Sequence, residues 1–289
     1  MTPQKRRYQN QDEIYTRQPV YFLDGIPVFL KIDESSNENE YVKNYEKIAR
    51  DQLKGIEKTG ENPFIPEELW IQSENSTRAL VQKYSKAGDK ILDVGVGMGR
   101  LLSPLTSLDR YGIDIVLDFL KIAKDKGINV CHSLIEDMSY KKEVFDIVVC
   151  TDVLEHVLDL NLTCQKILSV LRRDGILIVR VPYREDLDSY LDPTYPYKFA
   201  HLRNFDEHSL ILLFTKIFSC KFVELTYAGY CPMIKKLKYR SQIVLLPRIY
   251  EKLIRTTAII SSKLYRFLLK KFYEPIEINM VFKKVDNTK

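Results

Sequence analysis

Between residues 87 and 229 short β-rich apolar runs alternate with helical patterns, an order that few folds accept. The runs are KILDVG (90–95), RYGIDI (110–115), INVCHS (128–133), FDIVVCT (145–151) and GILIVRVPY (175–183). Helical periods fall near 99–107, 116–126, 153–158, 161–172 and 206–216, and the last leads into KIFSCKFVELTY (216–227). Runs without polar alternation belong to strands buried on both faces. The class is therefore α/β, with a doubly wound, mostly parallel sheet. Apolar residues are 45% of the 289, enough for a large core. No run of 18 apolar residues offers a transmembrane helix. The opening MTPQKRRYQNQDE lacks the apolar stretch of a signal peptide.

Four stretches follow from the pattern. Residues 1–86 hold a hairpin about Asp24-Gly25 and two helices, at 40–53 and from Glu67 to Tyr84, the second entered through Pro66 at its first position. They are expected to cover the site. Residues 87–229 are the α/β core, 230–274 a basic helical insertion, and 275–289 a final strand (EINMVFKKV, 277–285) with a tail.

The glycine loop carries the functional signal. In ILDVGVGMGR (91–100) a strand runs into Gly95, Gly97 and Gly99, and a helix is expected after them. Glycines let the backbone turn sharply and let a ligand approach the main chain. The spacing is G-x-G-x-G, not the G-x-G-x-x-G that cradles a pyrophosphate, and no Gly-Lys-Ser/Thr makes it a Walker loop. Asp93, two residues before the first glycine, would repel pyrophosphate and suit an amino or sulfonium cation. Asp114 ends the next strand 21 residues after Asp93, where a doubly wound fold keeps its ribose-binding carboxylate. Without a ligand the same loop would be only a tight strand–helix turn.

These residues resemble the class I S-adenosylmethionine-dependent methyltransferases over about 70–229. LDVGVGMG is similar to that family's first motif, GIDI to its second, and FDIVVCTDVLEHV (145–157) to its fourth strand and following loop. LRRDGILIVRVPY resembles the fifth strand, and HLRNFDEHSLILLFTKIF (201–218) the segment leading to the sixth. The resemblance implies a seven-stranded sheet whose last strand is antiparallel, a place that EINMVFKKV can fill. It implies S-adenosyl-L-methionine as cofactor, with Gly95, Gly97 and Gly99 along its methionine part. Asp114 would take the ribose, and Thr151 or Asp152 the amino end. One position departs from the family pattern: Leu134 stands where many relatives carry the Asp that meets adenine. The backbone at Ile135, with Glu136 or Asp137, is expected in its place; otherwise these acids form a solvated turn.

A hydroxyl acceptor needs its proton removed. His156, in VLEHV, and His201, after a loop holding Tyr183, Tyr190, Tyr195 and Tyr197, are the candidate catalytic bases. The bland alternatives are a loop-orienting role for His156 and a hydrogen bond near Arg203 for His201. His132 reads as a strand-end residue and His208 as helix surface. Asp152, Glu155 and His156 are close in sequence with no second cluster to join them, so no metal is expected. The five cysteines (131, 150, 164, 220, 231) are odd in number and show no CxxC, which suits a reducing compartment.

Net charge is +5, unevenly placed: residues 233–273 hold eleven Lys or Arg and one acid, Glu251. Arg248, Lys252, Arg255, Lys263, Arg266 and Lys270 form a stripe at helical spacing. Peripheral contact with an anionic membrane through 233–273, a hold on a phosphate-bearing acceptor and a solvated lid face all remain open. Nucleic acid is disfavoured, because the whole chain is only mildly basic. The functional expectation is a methyltransferase, cytoplasmic or peripheral at the membrane surface, acting on an oxygen, with nitrogen as the alternative, of a small molecule or glycan, free or lipid- or phosphate-linked. The competing expectation is a non-catalytic nucleotide-binding or partner-binding domain that uses the basic segment.

Overall fold

The computed structural model describes residues 14–31, 36–232 and 273–285, together with positions 256, 261 and 264. In chain order the elements are β1 (Tyr21–Leu23), β2 (Ile26–Val28), α1 (Asn37–Thr59), α2 (Glu67–Tyr84), β3 (Lys90–Val94), β4 (Asp109–Asp114) and α3 (Leu117–Asp125). β5 (Asn129–His132), β6 (Phe145–Thr151), α4 (Leu160–Val170), β7 (Leu171–Pro182) and α5 (Glu207–Ile211) follow. A 3-10 helix (Asp188–Leu191) lies between β7 and α5, and a π-helix (Leu212–Ile217), β8 (Lys221–Pro232) and β9 (Tyr273–Lys283) come last among the described residues.

All nine strands form one sheet, ordered β1-β2-β5-β4-β3-β6-β7-β9-β8. The seven from β5 to β8 are the expected set, with β9 antiparallel to β7 and to β8. The hairpin is a correction. It was expected over the site, but it extends the sheet instead, β2 running parallel to β5 through Val28 and His132. Adjacent residues of the central strands enter opposite cores: Leu92, Val148 and Cys150 one, Ile91, Ile147 and Val149 the other. Both faces are covered, which is why these runs lack polar alternation.

Two expected helices are absent. The stretch after the glycine loop closes as turns, because Pro104 has no N–H and disfavours a helical Ser103. Residues 153–158 make only a single turn, Val157 N–H reaching Val153 O at 3.3 Å. The helix expected at 206–216 begins on a capping box between Asp206 and Ser209 and widens into the π-helix, so β8 begins five residues later than expected, at Lys221. Pro66 caps α2 rather than opening it, and α1 is longer than expected, from a Ser36 cap to a left-handed Gly60. The final strand begins at Tyr273, and β8 outlasts the proposed boundary at 229.

The basic stripe at 248–270 falls outside the described residues apart from single positions. β8 and β9 pair up to Pro232 and Tyr273, so the two ends of the intervening segment are neighbours. Among the described residues no helix is long and apolar enough to cross a membrane.

Candidate active site

The chain leaves β3 for β4 and β5 on one side and returns to β6 and β7 on the other. A crevice must therefore open at the carboxyl ends of these strands. A cavity of about 950 Å³ lies there, roofed by α1 and α2.

The three glycines serve different ends. All have positive φ (78°, 49° and 70° for Gly95, Gly97 and Gly99), a region that glycine occupies without a Cβ penalty. A Cβ on Gly95 would collide with Val153, and one on Gly99 would stand 2.5 Å from Ile128 Cδ1. A Cβ on Gly97 would meet nothing within 4 Å. Gly95 and Gly97 line the cavity; Gly99 does not, and its expected place against the cofactor is corrected to packing against Ile128 and Ala123.

Asp114 holds this loop. Its Oδ2 accepts from Gly97 N–H at 2.8 Å and its Oδ1 from Val116 N–H at 2.9 Å. Burial raises its pKa, opposed by these two N–H groups. Asp93 is 2% exposed, and among the described residues its Oδ1 has no hydrogen-bond partner. Burial pushes its carboxyl well above the usual range against the pull of Arg180.

Ile135 and Glu136 line the cavity, Glu136 Oε1 accepting from Thr163 Oγ1 at 2.8 Å. Asp137 is corrected: it lies outside the cavity, half-exposed, paired with Arg17 at 2.5 Å. Thr151 and Asp152 line the cavity, and Asp152 has a φ of 56°. Its carboxylate meets Arg180, a guanidinium 3% exposed that also donates to Thr77 Oγ1 at 3.1 Å and lies 4.0 Å from Glu277.

The far end of the cavity is aromatic. Tyr45 Oη and His156 Nδ1 are 2.9 Å apart, and the His156 and His201 rings are 4.5 Å apart, centre to centre. His201 Nδ1 donates to Glu185 Oε2, while Tyr190 donates to Glu185 Oε1 at 2.8 Å. Tyr183, Tyr195 and Tyr197 complete the wall, as the sequence suggested. Arg203 does not bind His201; it donates to Val157 O and, at 2.9 Å, to Leu158 O. Burial, with His201 alongside, pushes His156 down to about 3. Glu155 is 1% exposed, and among the described residues neither of its carboxylate oxygens has a hydrogen-bond partner. The polar atoms of Glu155, His156 and His201 lie within 4.8 Å of one another. The expectation that nothing distant joins Glu155 and His156 is thus corrected, because the fold brings His201 to them.

Outside the notice of sequence reasoning stood Arg180, Glu185, Glu277 and Tyr45. Arg180 carried a signal: a cation inside the apolar run GILIVRVPY has to find anions when both faces are buried. Arg100 was missed too. It stacks on Trp70 at 3.7 Å and pairs with Glu74 at 2.9 Å and Glu67 at 2.7 Å, which ties α2 to the glycine loop.

Residues 92–179 match the family model of a methyltransferase domain. Mitochondrial ubiquinone biosynthesis O-methyltransferase of Rattus norvegicus is 36% identical over 142 residues, which are 45% of this chain and 40% of that protein. The same-named enzyme of Glaesserella parasuis is 32% identical over 105 residues, 32% of this chain and 44% of that protein. The chain spans less than half the length of these two curated relatives. An S-adenosylmethionine-dependent methyltransferase of Thermotoga maritima superposes with a TM-score of 0.52 at 17% identity, over 84% of this chain and 99% of that one. Phosphoethanolamine N-methyltransferase 2 of Haemonchus contortus gives 0.54 at 16%, over 88% and 62%. These two likenesses concern the fold.

Residues 92–179 match a methyltransferase domain, and the sheet order, glycine loop and strand-end acid around them have the class I S-adenosylmethionine-dependent arrangement. S-adenosylmethionine is its cofactor, and the residues fit it. The orphaned Asp93 carboxylate suits a cation, the bare face of Gly97 leaves room for a ligand at the main chain, and Asp114 keeps lone pairs for ribose hydroxyls.

Proposed function

We propose that this chain transfers a methyl group from S-adenosylmethionine to a hydroxyl oxygen of a small molecule or glycan. One observation carries the reading: a single cavity joins the glycine loop and Asp114 to a pocket walled by tyrosines and two histidines. The cofactor supplies an activated methyl on a sulfonium, so what remains for the protein is positioning, exclusion of water and removal of a proton. Asp114 and Gly97 fix one end of the donor. Asp152 is neutralised by Arg180. The curated relatives named as O-methyltransferases support oxygen as the acceptor atom.

Proton removal falls to His201. Its Nδ1–H is committed to Glu185, which leaves Nε2 with a lone pair, and a carboxylate behind the ring stabilises the imidazolium that forms. His156, depressed to about 3, is a poor base at neutral pH.

The test is methyl transfer from labelled S-adenosylmethionine to a panel of hydroxylated acceptors, with S-adenosylhomocysteine titrated calorimetrically alongside. Asp114→Ala removes two charge-assisted acceptors worth about 1.5–3 kcal/mol each, so cofactor affinity falls more than tenfold. Failure of wild type to bind S-adenosylhomocysteine refutes the reading. Binding without transfer to any acceptor favours the non-catalytic alternative.

A further inference from the structure

The geometry points to an acceptor that carries a protonated amine next to its reacting hydroxyl, an amino alcohol of the amino-sugar type, with the ammonium held by Glu155. This rests on the methyl-transfer reading for the place of the site and goes beyond it in naming the substrate class.

Glu155 is the observation that demands a guest. A buried carboxylate with both oxygens unmet is costly unless a cation or strong donors reach it. Among the described residues no side chain offers one at hydrogen-bond distance. His156 Nε2 stands 3.7 Å away, and burial keeps that ring neutral. Arg180 is engaged by Asp152, and Arg184, half-exposed, by Glu207 at 3.1 Å. Burial pushes the Glu155 carboxyl up, Asp152 and Glu185 push it further, and Arg180 pulls against them. With Asp152 held by Arg180, Glu155 and Glu185 are the acids that face a guest here, and an ammonium is favoured over a phosphate or carboxylate.

Aromatic rings complete the setting. Tyr45 meets the His156 ring edge-on at 5.4 Å, and Tyr190 lies 5.1 Å from His201. Such faces suit both the C–H surface of a sugar and an ammonium. The spacing sets the rest. A ring nitrogen of His201 and a carboxylate oxygen of Glu155 lie within 4.8 Å of each other. An acceptor that meets both side chains then carries its amine and its reacting hydroxyl close together, as an amino alcohol does.

Three sugars of one ring decide it: D-glucosamine, D-glucose and N-acetyl-D-glucosamine, of which only the first carries an ammonium. Each is titrated calorimetrically into the full chain saturated with S-adenosylhomocysteine, at a pH below the amine's own pKa. Glucosamine is expected to bind at least tenfold more tightly than the other two, and Glu155→Gln to erase that preference with S-adenosylhomocysteine affinity kept within twofold. The wild-type comparison stands without the variant should Glu155→Gln not fold. Equal or absent binding of the three overturns the inference while leaving methyl transfer standing, provided that S-adenosylhomocysteine binds. A preference that survives in Glu155→Gln also overturns it. So does loss of S-adenosylhomocysteine affinity in that variant, which gives the carboxylate to the cofactor's own ammonium. Displacement of glucosamine by magnesium chloride, but not by equal sodium chloride, assigns Glu155 to a divalent ion and overturns it as well.

Discussion

Three glycines in one loop, each replaced singly by Ala, should fail in different ways. Gly97 has a φ of 49° and open space where its Cβ would stand. An L-residue held in that left-handed region costs about 1–2 kcal/mol, and no packing cost is added. Gly99, at a φ of 70°, adds a Cβ 2.5 Å from Ile128 Cδ1 and 3.2 Å from the Ala123 backbone. Overpacking of that kind adds about 1–3 kcal/mol, for a total near 2–5 kcal/mol. Gly95, against Val153, belongs with Gly99. At about 2–4 °C per kcal/mol, Gly97→Ala melts only a few degrees low, and Gly95→Ala and Gly99→Ala clearly lower. Affinity runs the other way. The Cβ of Gly97→Ala enters the cavity next to the N–H that Asp114 accepts, and S-adenosylhomocysteine binding should fall more than tenfold, about 1.4 kcal/mol. Thermal unfolding and calorimetry on the same preparations read both quantities. Wild-type affinity in Gly97→Ala, or a melting temperature as low as that of Gly99→Ala, refutes the division of labour.

Two further outcomes are expected. His156 is held near 3 in the fold against about 6.5 unfolded, so the unfolded chain binds more protons between these values and stability falls as pH drops through that window. Urea unfolding at pH 7 and pH 5 should show wild type losing about 2 kcal/mol more than His156→Gln, and parallel losses would remove His156 from the account. Replacing Arg248, Lys252, Arg255 and Lys263 with Gln should release the protein from anionic vesicles that the wild type co-sediments with at low salt, cofactor binding unchanged. Wild type left in the supernatant refutes membrane contact.

Local pattern was enough for what is locally determined. β6 and α2 occupy the residues that the pattern marks, and Asp114 ends β4 as the strand rhythm requires. The hairpin's destination was not legible, because its partner β5 lies about a hundred residues on and nothing in YFLDGIPV names it. Pro104 was in plain view, and its cost to a helix was overlooked. In the site, Gly99 and Asp137 answered a motif and not a geometry: one was needed for packing, the other for Arg17. Glu185 and Glu155 take their meaning from His201 and from burial, and both arise only once the chain has folded.

The meeting of Pro232 and Tyr273 gives the forty residues between them the standing of an exchangeable cassette. Closing forty residues instead of a two-residue turn costs only about 2.5 kcal/mol in chain entropy, because that cost grows with the logarithm of length. The register of β8 on β9 is fixed by the strands themselves, so the cassette can lengthen, shorten or reverse its charge without rebuilding the sheet. Variation in length or charge can therefore collect between Pro232 and Tyr273 while the β8–β9 register, and with it the edge of the sheet, is inherited unchanged.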